Sequence, residues 1–138
     1  MRFWDASAIV PLLVDEPRTS RAQVLRGEDA QVVVWWGTPV ECASALARLR
    51  RDGALSVAEE GAASRRLDRL RRSWFEVLPV DQVRAQALRV LRVHSLRAAD
   101  ALQLAAALEW AGTPAAGEMV TFDDRLAGAA ELEGFVIV

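Results

Sequence analysis

The sequence predicts an α/β fold, a three-layer α/β/α sandwich around a mainly parallel five-stranded sheet. Three observations lead there. Short stretches rich in Val, Phe and Trp alternate along the chain with longer segments of helical period. The strand candidates lack polar alternation, as expected of a parallel sheet covered on both faces. Acidic residues stand at or near several strand-to-helix junctions, where an open α/β sheet assembles its functional groups. At 138 residues the chain is of ordinary size for one domain, 1–138, with no repeat, linker or low-complexity tract.

Arg2–Trp4 reads as a buried first strand, followed by a helix over Ala6–Leu13 that starts beside Asp5. Glu16-Pro17 is a break, and Thr19–Arg26 a second helix ended by Gly27. Gln31–Trp36 is the second strand. Thr38 then offers an N-cap with Pro39 at the first helical position, and the helix Val40–Arg51 closes at Gly53. Its inner side is expected at Val40, Ala43, Leu46, Ala47 and Leu49 or Ala54. Ser56 caps a helix to about Arg72, with Val57, Ala63, Leu67 and Leu70 inward. Phe75–Val80 is the third strand, and Asp81–Val93 a helix with Val83, Ala87, Leu88 and Leu91 inward. Ala98–Ala111 is an Ala-rich helix closed by Gly112, with Thr113-Pro114 as a turn. Glu118–Phe122 is the fourth strand, Asp124–Leu132 a helix stopped by Gly134, and Phe135–Val138 the last strand.

Composition narrows the function. The lone Cys42 cannot form an intramolecular disulfide, so a cytoplasmic setting is the default. The Asp5 and Asp15 carboxylates and Pro11 interrupt the N-terminal apolar run, which reads as neither signal peptide nor membrane span. All 17 basic residues are Arg and none is Lys, against a net charge of −2. A P-loop and a phosphoacceptor receiver domain, which both rely on a Lys, are therefore disfavoured. Between Arg48 and Arg72 eight arginines meet Asp52, Glu59, Glu60 and Asp68, a local excess of four positive charges. Such a run reads first as a solvated helix face, although Arg forks also match phosphate oxygens.

Asp5, Glu41, Asp100 and Asp123 are the candidate site. Should they converge, two unpaired carboxylates about 4 Å apart would repel by roughly 4 kcal/mol at an effective dielectric of about 20, and a divalent cation is the remedy. Each also has a plainer reading. Asp5 can cap the first helix, and Ser7 can either cap or place a hydroxyl beside the same ion or phosphate. Thr38-Pro39-Val40-Glu41 has the spacing of a capping box. Asp100 stands in the first turns of its helix, where the macrodipole favours an anion. Asp123 and Asp124 compete to cap the last helix, with Asp123 the better placed. His94, the only His, reads as a surface loop residue.

Four segments resemble the PIN-domain ribonucleases of the VapC type, the toxin half of a type II toxin-antitoxin pair. They are Phe3-Trp4-Asp5-Ala6-Ser7-Ala8, Thr38-Pro39-Val40-Glu41 with Ala45-Leu46-Ala47-Arg48, Arg97-Ala98-Ala99-Asp100-Ala101-Leu102-Gln103-Leu104-Ala105, and Thr121-Phe122-Asp123-Asp124-Arg125-Leu126-Ala127. The third is the most specific. The resemblance implies a five-stranded parallel sheet and a pocket in which Asp5, Glu41, Asp100 and Asp123 bind Mg²⁺ or Mn²⁺, with Ser7 and Thr121 as supporting hydroxyls. Arg97, one turn before Asp100, becomes a candidate for substrate or antitoxin contact at the rim.

On this reading the chain is a Mg²⁺-dependent endoribonuclease with an RNA substrate, a VapB-type antitoxin that blocks the pocket, and a homodimeric state. Hard carboxylate oxygens suit these cations. Trp35, Trp36, Trp74 and Trp110 could supply interface area, but core packing is the expectation for each. A competing reading is a non-catalytic module of the same fold whose acidic pocket holds a basic partner segment. A phosphatase of the haloacid dehalogenase type is weaker, because no second Asp stands two residues after Asp5 and Lys is missing.

Overall fold

The computed structural model describes residues 1–112 and 115–138, so the expected turn at Thr113-Pro114 lies outside the described residues. In chain order the elements are β1 (Arg2–Trp4), α1 (Ala6–Leu13), α2 (Thr19–Glu28), β2 (Val32–Trp35), α3 (Thr38–Arg51), α4 (Val57–Arg71), β3 (Phe75–Val77), α5 (Asp81–Val93), α6 (Ala98–Ala111), β4 (Glu118–Val120), α7 (Asp124–Leu132) and β5 (Val136–Ile137). The strands form one sheet in the order β3-β2-β1-β4-β5, and every pairing is parallel. The expected α/β/α sandwich is borne out.

The pleat divides the apolar strand residues between two cores. Phe3, Val33, Trp35 and Met119 pack with Val83, Leu104 and Leu126 of α5, α6 and α7. Their neighbours Trp4, Val32, Val34 and Val120 pack on the other face with Ile9, Leu25, Leu46 and Leu67 of α1 to α4. β2 is buried at every position and so needs apolar residues on both faces, which is why no alternation shows in its sequence.

Several boundaries and faces differ from expectation. Gly27 does not end α2, which runs on to Glu28, because a glycine inside a helix costs only about 1 kcal/mol. Pro11 lies within α1, where it forfeits the bond to the Ser7 carbonyl but is itself buried. On α3 the buried stripe is Thr38, Cys42 and Leu46, while Val40 is 68% exposed. On α5 packing against α6 selects the stripe Val83, Ala87 and Val90 over the equally periodic Leu88 and Leu91. Ser56 caps α4 as expected and forms a full capping box with Glu59. Trp35 and Trp74 are core residues and Trp110 is partly buried against the core, but Trp36 is 51% exposed.

His94 is no loose surface residue. It caps the C-terminus of α5, and its Nε2 lies 2.7 Å from Glu133 Oε1. Glu133 also accepts a forked pair from Arg89 at 3.0 and 2.7 Å, which ties α5 to the end of α7. Among the described residues no helix is long and apolar enough to cross a membrane.

β1 sits centrally, and its neighbours β2 and β4 are reached in opposite directions across the sheet. Such a switch point opens a crevice at the carboxyl ends of the strands. The segments that follow β1, β2 and β4 all start at that end.

Candidate functional site

Asp5 follows β1 directly and caps α1, so its N-cap and site readings hold together. Its Oδ2 accepts the Ser7 N–H at 3.0 Å, and its Oδ1 accepts the Ser7 hydroxyl at 2.7 Å. Ser7 Oγ accepts the Phe122 N–H at 2.8 Å. Ser7 Oγ also lies 3.4 Å from Thr121 Oγ1. Thr121 Oγ1 in turn accepts the Asp123 N–H at 3.1 Å. These bonds join the end of β1 to the end of β4 and fix Asp5 beside the Asp123 loop. Thr121 is 6% exposed, and its hydroxyl stands beside Asp5 at the back of the cleft.

The capping box expected at Thr38 and Glu41 does not form. Gly37 is the N-cap of α3, and a Cβ there would collide with the Trp35 indole, so only glycine lets the chain turn this tightly out of β2. Glu41 is held from another element. Gln103 Nε2 donates to Glu41 Oε1 at 3.0 Å and to Thr38 Oγ1 at 3.2 Å. Gln103 lies one turn beyond Asp100 on α6, is 1% exposed, and leaves its Oε1 without a partner among the described residues.

Asp100 stands in the first turn of α6, and its Oδ2 accepts the Arg97 N–H at 3.4 Å. Asp123 caps α7, its Oδ1 accepting the Arg125 and Leu126 N–H groups at 2.9 Å each. Asp124 opens that helix and is exposed.

Asp5, Glu41, Asp100 and Asp123 line one open cleft of about 710 Å³, together with Ser7, Glu16, Arg18 and Arg48. Asp124, Thr121 and Arg97 are outside its lining. Arg97 is exposed at the N-cap of α6, where its backbone, not its guanidinium, meets Asp100. The basic groups in the cleft are instead Arg18 and Arg48. Helical spacing marks two of the residues that sequence reasoning passed over: Arg48 is two turns beyond Glu41 on α3, and Gln103 one turn beyond Asp100. Arg18 carries no such signal.

Burial raises two of the carboxyls. Asp5 is pushed up to about 6 by desolvation, against the lowering effect of the Ser7 and Thr121 hydrogen bonds, with a further raise from Asp123. Glu41 is pushed up to about 7 by desolvation, opposed by Gln103 and reinforced by the charges of Asp5 and Asp100. The Cys42 thiol next to Glu41 is pushed up to about 12 by burial and by the charges of Glu41 and Asp5. It is a packing residue, inert as a nucleophile at neutral pH.

The expectation of a ready-made cage needs correction. Among the described residues no three carboxylate, histidine or cysteine side chains draw together closely enough to hold an ion by themselves. Like charges in a desolvated cleft stand apart, and burial raises two of the carboxyls above the ordinary range. The donor chemistry nevertheless fits Mg²⁺ or Mn²⁺. All four groups offer hard oxygens, and Mg²⁺ keeps several waters, which a wide cleft accommodates.

The family model for the PIN domain matches residues 2–132. No curated protein matches the chain by sequence. Among solved structures, VapC20 of Mycobacterium tuberculosis, a sarcin-ricin loop cleaving toxin, is 20% identical with a TM-score of 0.71, covering 99% of this chain and 97% of that one. PAE2754 from Pyrobaculum aerophilum is 23% identical with a TM-score of 0.70, covering 99% of this chain and 83% of that one. A toxin-antitoxin complex from Klebsiella pneumoniae contains a chain 15% identical with a TM-score of 0.65, covering 93% of this chain and 92% of that one. These likenesses are of fold. With a parallel sheet in the order β3-β2-β1-β4-β5, an acidic cleft at its switch point, and a family match over nearly the whole sequence, the chain belongs to the PIN domain family.

Proposed function

We propose that the cleft is the active site of a Mg²⁺- or Mn²⁺-dependent endoribonuclease, the toxin component of a type II toxin-antitoxin pair of the VapBC kind. The observation that carries this reading is the gathering of Asp5, Glu41, Asp100 and Asp123 from four separate chain segments into one cleft. Capping alone accounts for Asp5 and Asp123, but it leaves Glu41, tethered by Gln103 and raised to about 7, without a role. Membership in the PIN family, and the likeness to a toxin that cleaves the sarcin-ricin loop, support a nuclease acting on RNA. The likeness to a chain of a toxin-antitoxin complex supports an antitoxin partner.

The four carboxylates would hold the ion, whose contribution when bound is an activated water and neutralised charge at the phosphate. The protein's own part is orientation. Ser7 and Thr121 fix Asp5, Gln103 fixes Glu41, and the first N–H groups of α7 fix one oxygen of Asp123 while its Oδ2 stays free of these bonds. Both raised carboxyls must give up a proton before they can serve as ligands, so divalent affinity rises with pH.

The test is digestion of total RNA by the purified chain with Mg²⁺ or Mn²⁺, followed by mapping of the new ends. Defined cuts that vanish in EDTA and in Asp100→Asn support the proposal. Cleavage that persists undiminished in Asp5→Asn and Asp100→Asn would mean that the acids hold no catalytic ion. No cleavage of any RNA, combined with capture of an Arg-rich peptide in the cleft, would favour the non-catalytic module.

A further inference from the structure

The acidic floor of the cleft repels a polyanion, so the few basic and aromatic groups in its lining decide how a strand is held. Arg18, in the turn ahead of α2, places its guanidinium carbon 5.2 Å from the centroid of the Phe122 ring. It also donates an N–H to the Phe122 carbonyl. Both side chains line the cleft, and that of Arg18 is exposed. The guanidinium of this exposed residue is thus anchored on the ring and the carbonyl of Phe122. Arg48 lies on the cleft side of α3, seven residues beyond Glu41, or about 10 Å along the helix axis. Its neighbour Arg50 is occupied by Glu60 at 2.6 Å, whereas Arg48 enters no ion pair among the described residues.

We propose that Arg18, Phe122 and Arg48 form a single-strand RNA subsite flanking the carboxylates. The Arg18 and Phe122 pair is a platform on which one unstacked base lies, since single strands are read by stacking on aromatic rings and Arg planes. Arg48, two turns beyond Glu41 on the same cleft wall, takes the phosphate next to the one at the carboxylates. The assignment rests on the nuclease reading for which phosphate is cut, but the surface itself rests on these three residues. It selects single strands over duplexes, because a paired base cannot leave its stack to reach the platform.

Fluorescence anisotropy tests this in an Asp100→Asn background with Mg²⁺, so that binding is read without cleavage. The probes are a short labelled RNA of mixed sequence and an abasic strand of equal length. Arg18→Ala weakens the first by about tenfold and the abasic strand, which loses only the charge, several-fold less, and Phe122→Leu weakens the first alone and to a smaller degree. Arg48→Ala weakens both strands and reduces the slope of log affinity against log salt by about 0.7, the share of one phosphate contact on a single strand. Arg18→Lys keeps the charge and does not restore base-dependent binding. Equal binding of both probes by parent and variants would overturn the proposal. If the parent chain cleaves RNA while these variants bind like their Asp100→Asn parent, the subsite fails and the nuclease reading stands. If cleavage is never seen but binding follows this pattern, the subsite stands and the nuclease reading fails.

Discussion

At the scale of single residues the site is a set of carboxylates, each with its own restraint, and the restraints come from far along the chain. Gln103 reaches Glu41 and Thr38 across more than sixty positions, and that contact displaces the local capping box. Local spacing favoured Thr38 bonding to Glu41, and a tertiary partner won. Gln103→Leu is therefore expected to weaken Mn²⁺ binding by about tenfold, measured by titration calorimetry, while the melting free energy changes by about 1 kcal/mol. The small stability effect follows because the substitution also removes the unpartnered Gln103 Oε1. Asp5 and Asp100 stood out on local chemistry, one just after an apolar strand and one in an Ala/Leu helix, whereas Glu41 and the choice of Asp123 over Asp124 rested on the resemblance. Arg18 and His94 were not, since their partners Phe122 and Glu133 are close only after folding.

Elements place these residues, and their ends matter more than their middles. Helices α1, α5, α6 and α7 begin and end where sequence signals put them, whereas β2 to β5 are shorter than the apolar runs that mark them. An apolar run continues past the last ladder bond wherever the next turn is also buried. Two caps provide a contrast. Ser56 and Glu59 form a true capping box, so Ser56→Ala should cost about 1 kcal/mol in urea unfolding and leave any activity unchanged. Thr38 caps nothing, and Thr38→Val should cost α3 no helix-capping energy while loosening Gln103. Glu133 is the joint between α5 and α7. Arg89 lowers its carboxyl below the ordinary value, chiefly by hydrogen bonding, with His94 adding to the effect. A lowered carboxyl stabilises the fold above its unfolded pKa and loses that contribution as pH falls through its folded pKa. Glu133→Gln should therefore cost about 1–3 kcal/mol at pH 7, and the difference from the parent should shrink on acidification.

On the scale of the whole molecule, alternating helices and apolar strands revealed the α/β/α sandwich, and the parallel sheet carries the acids to one end. The direction of two pKa shifts then makes stability depend on pH in an unusual sense. Asp5 and Glu41 are raised to about 6 and about 7, from 3.8 and 4.5, so the folded chain binds more protons than the unfolded chain between those values. Their contribution is full below about pH 4 and is lost as pH rises through 6 to 7. Thermal melts without metal should show a slope of this sign that Asp5→Asn and Glu41→Gln reduce, and Mn²⁺ should oppose it at pH 8. The most direct test of the central claim, that the four acids act together on one phosphodiester, is the RNA cleavage rate in Mg²⁺ of the parent and its four single carboxamide variants. Asp5→Asn, Glu41→Gln, Asp100→Asn and Asp123→Asn are each expected to lose at least about a hundredfold, and Asp124→Asn is not. Parent-like rates in any two of those four, with Mg²⁺ still required, would contradict the claim.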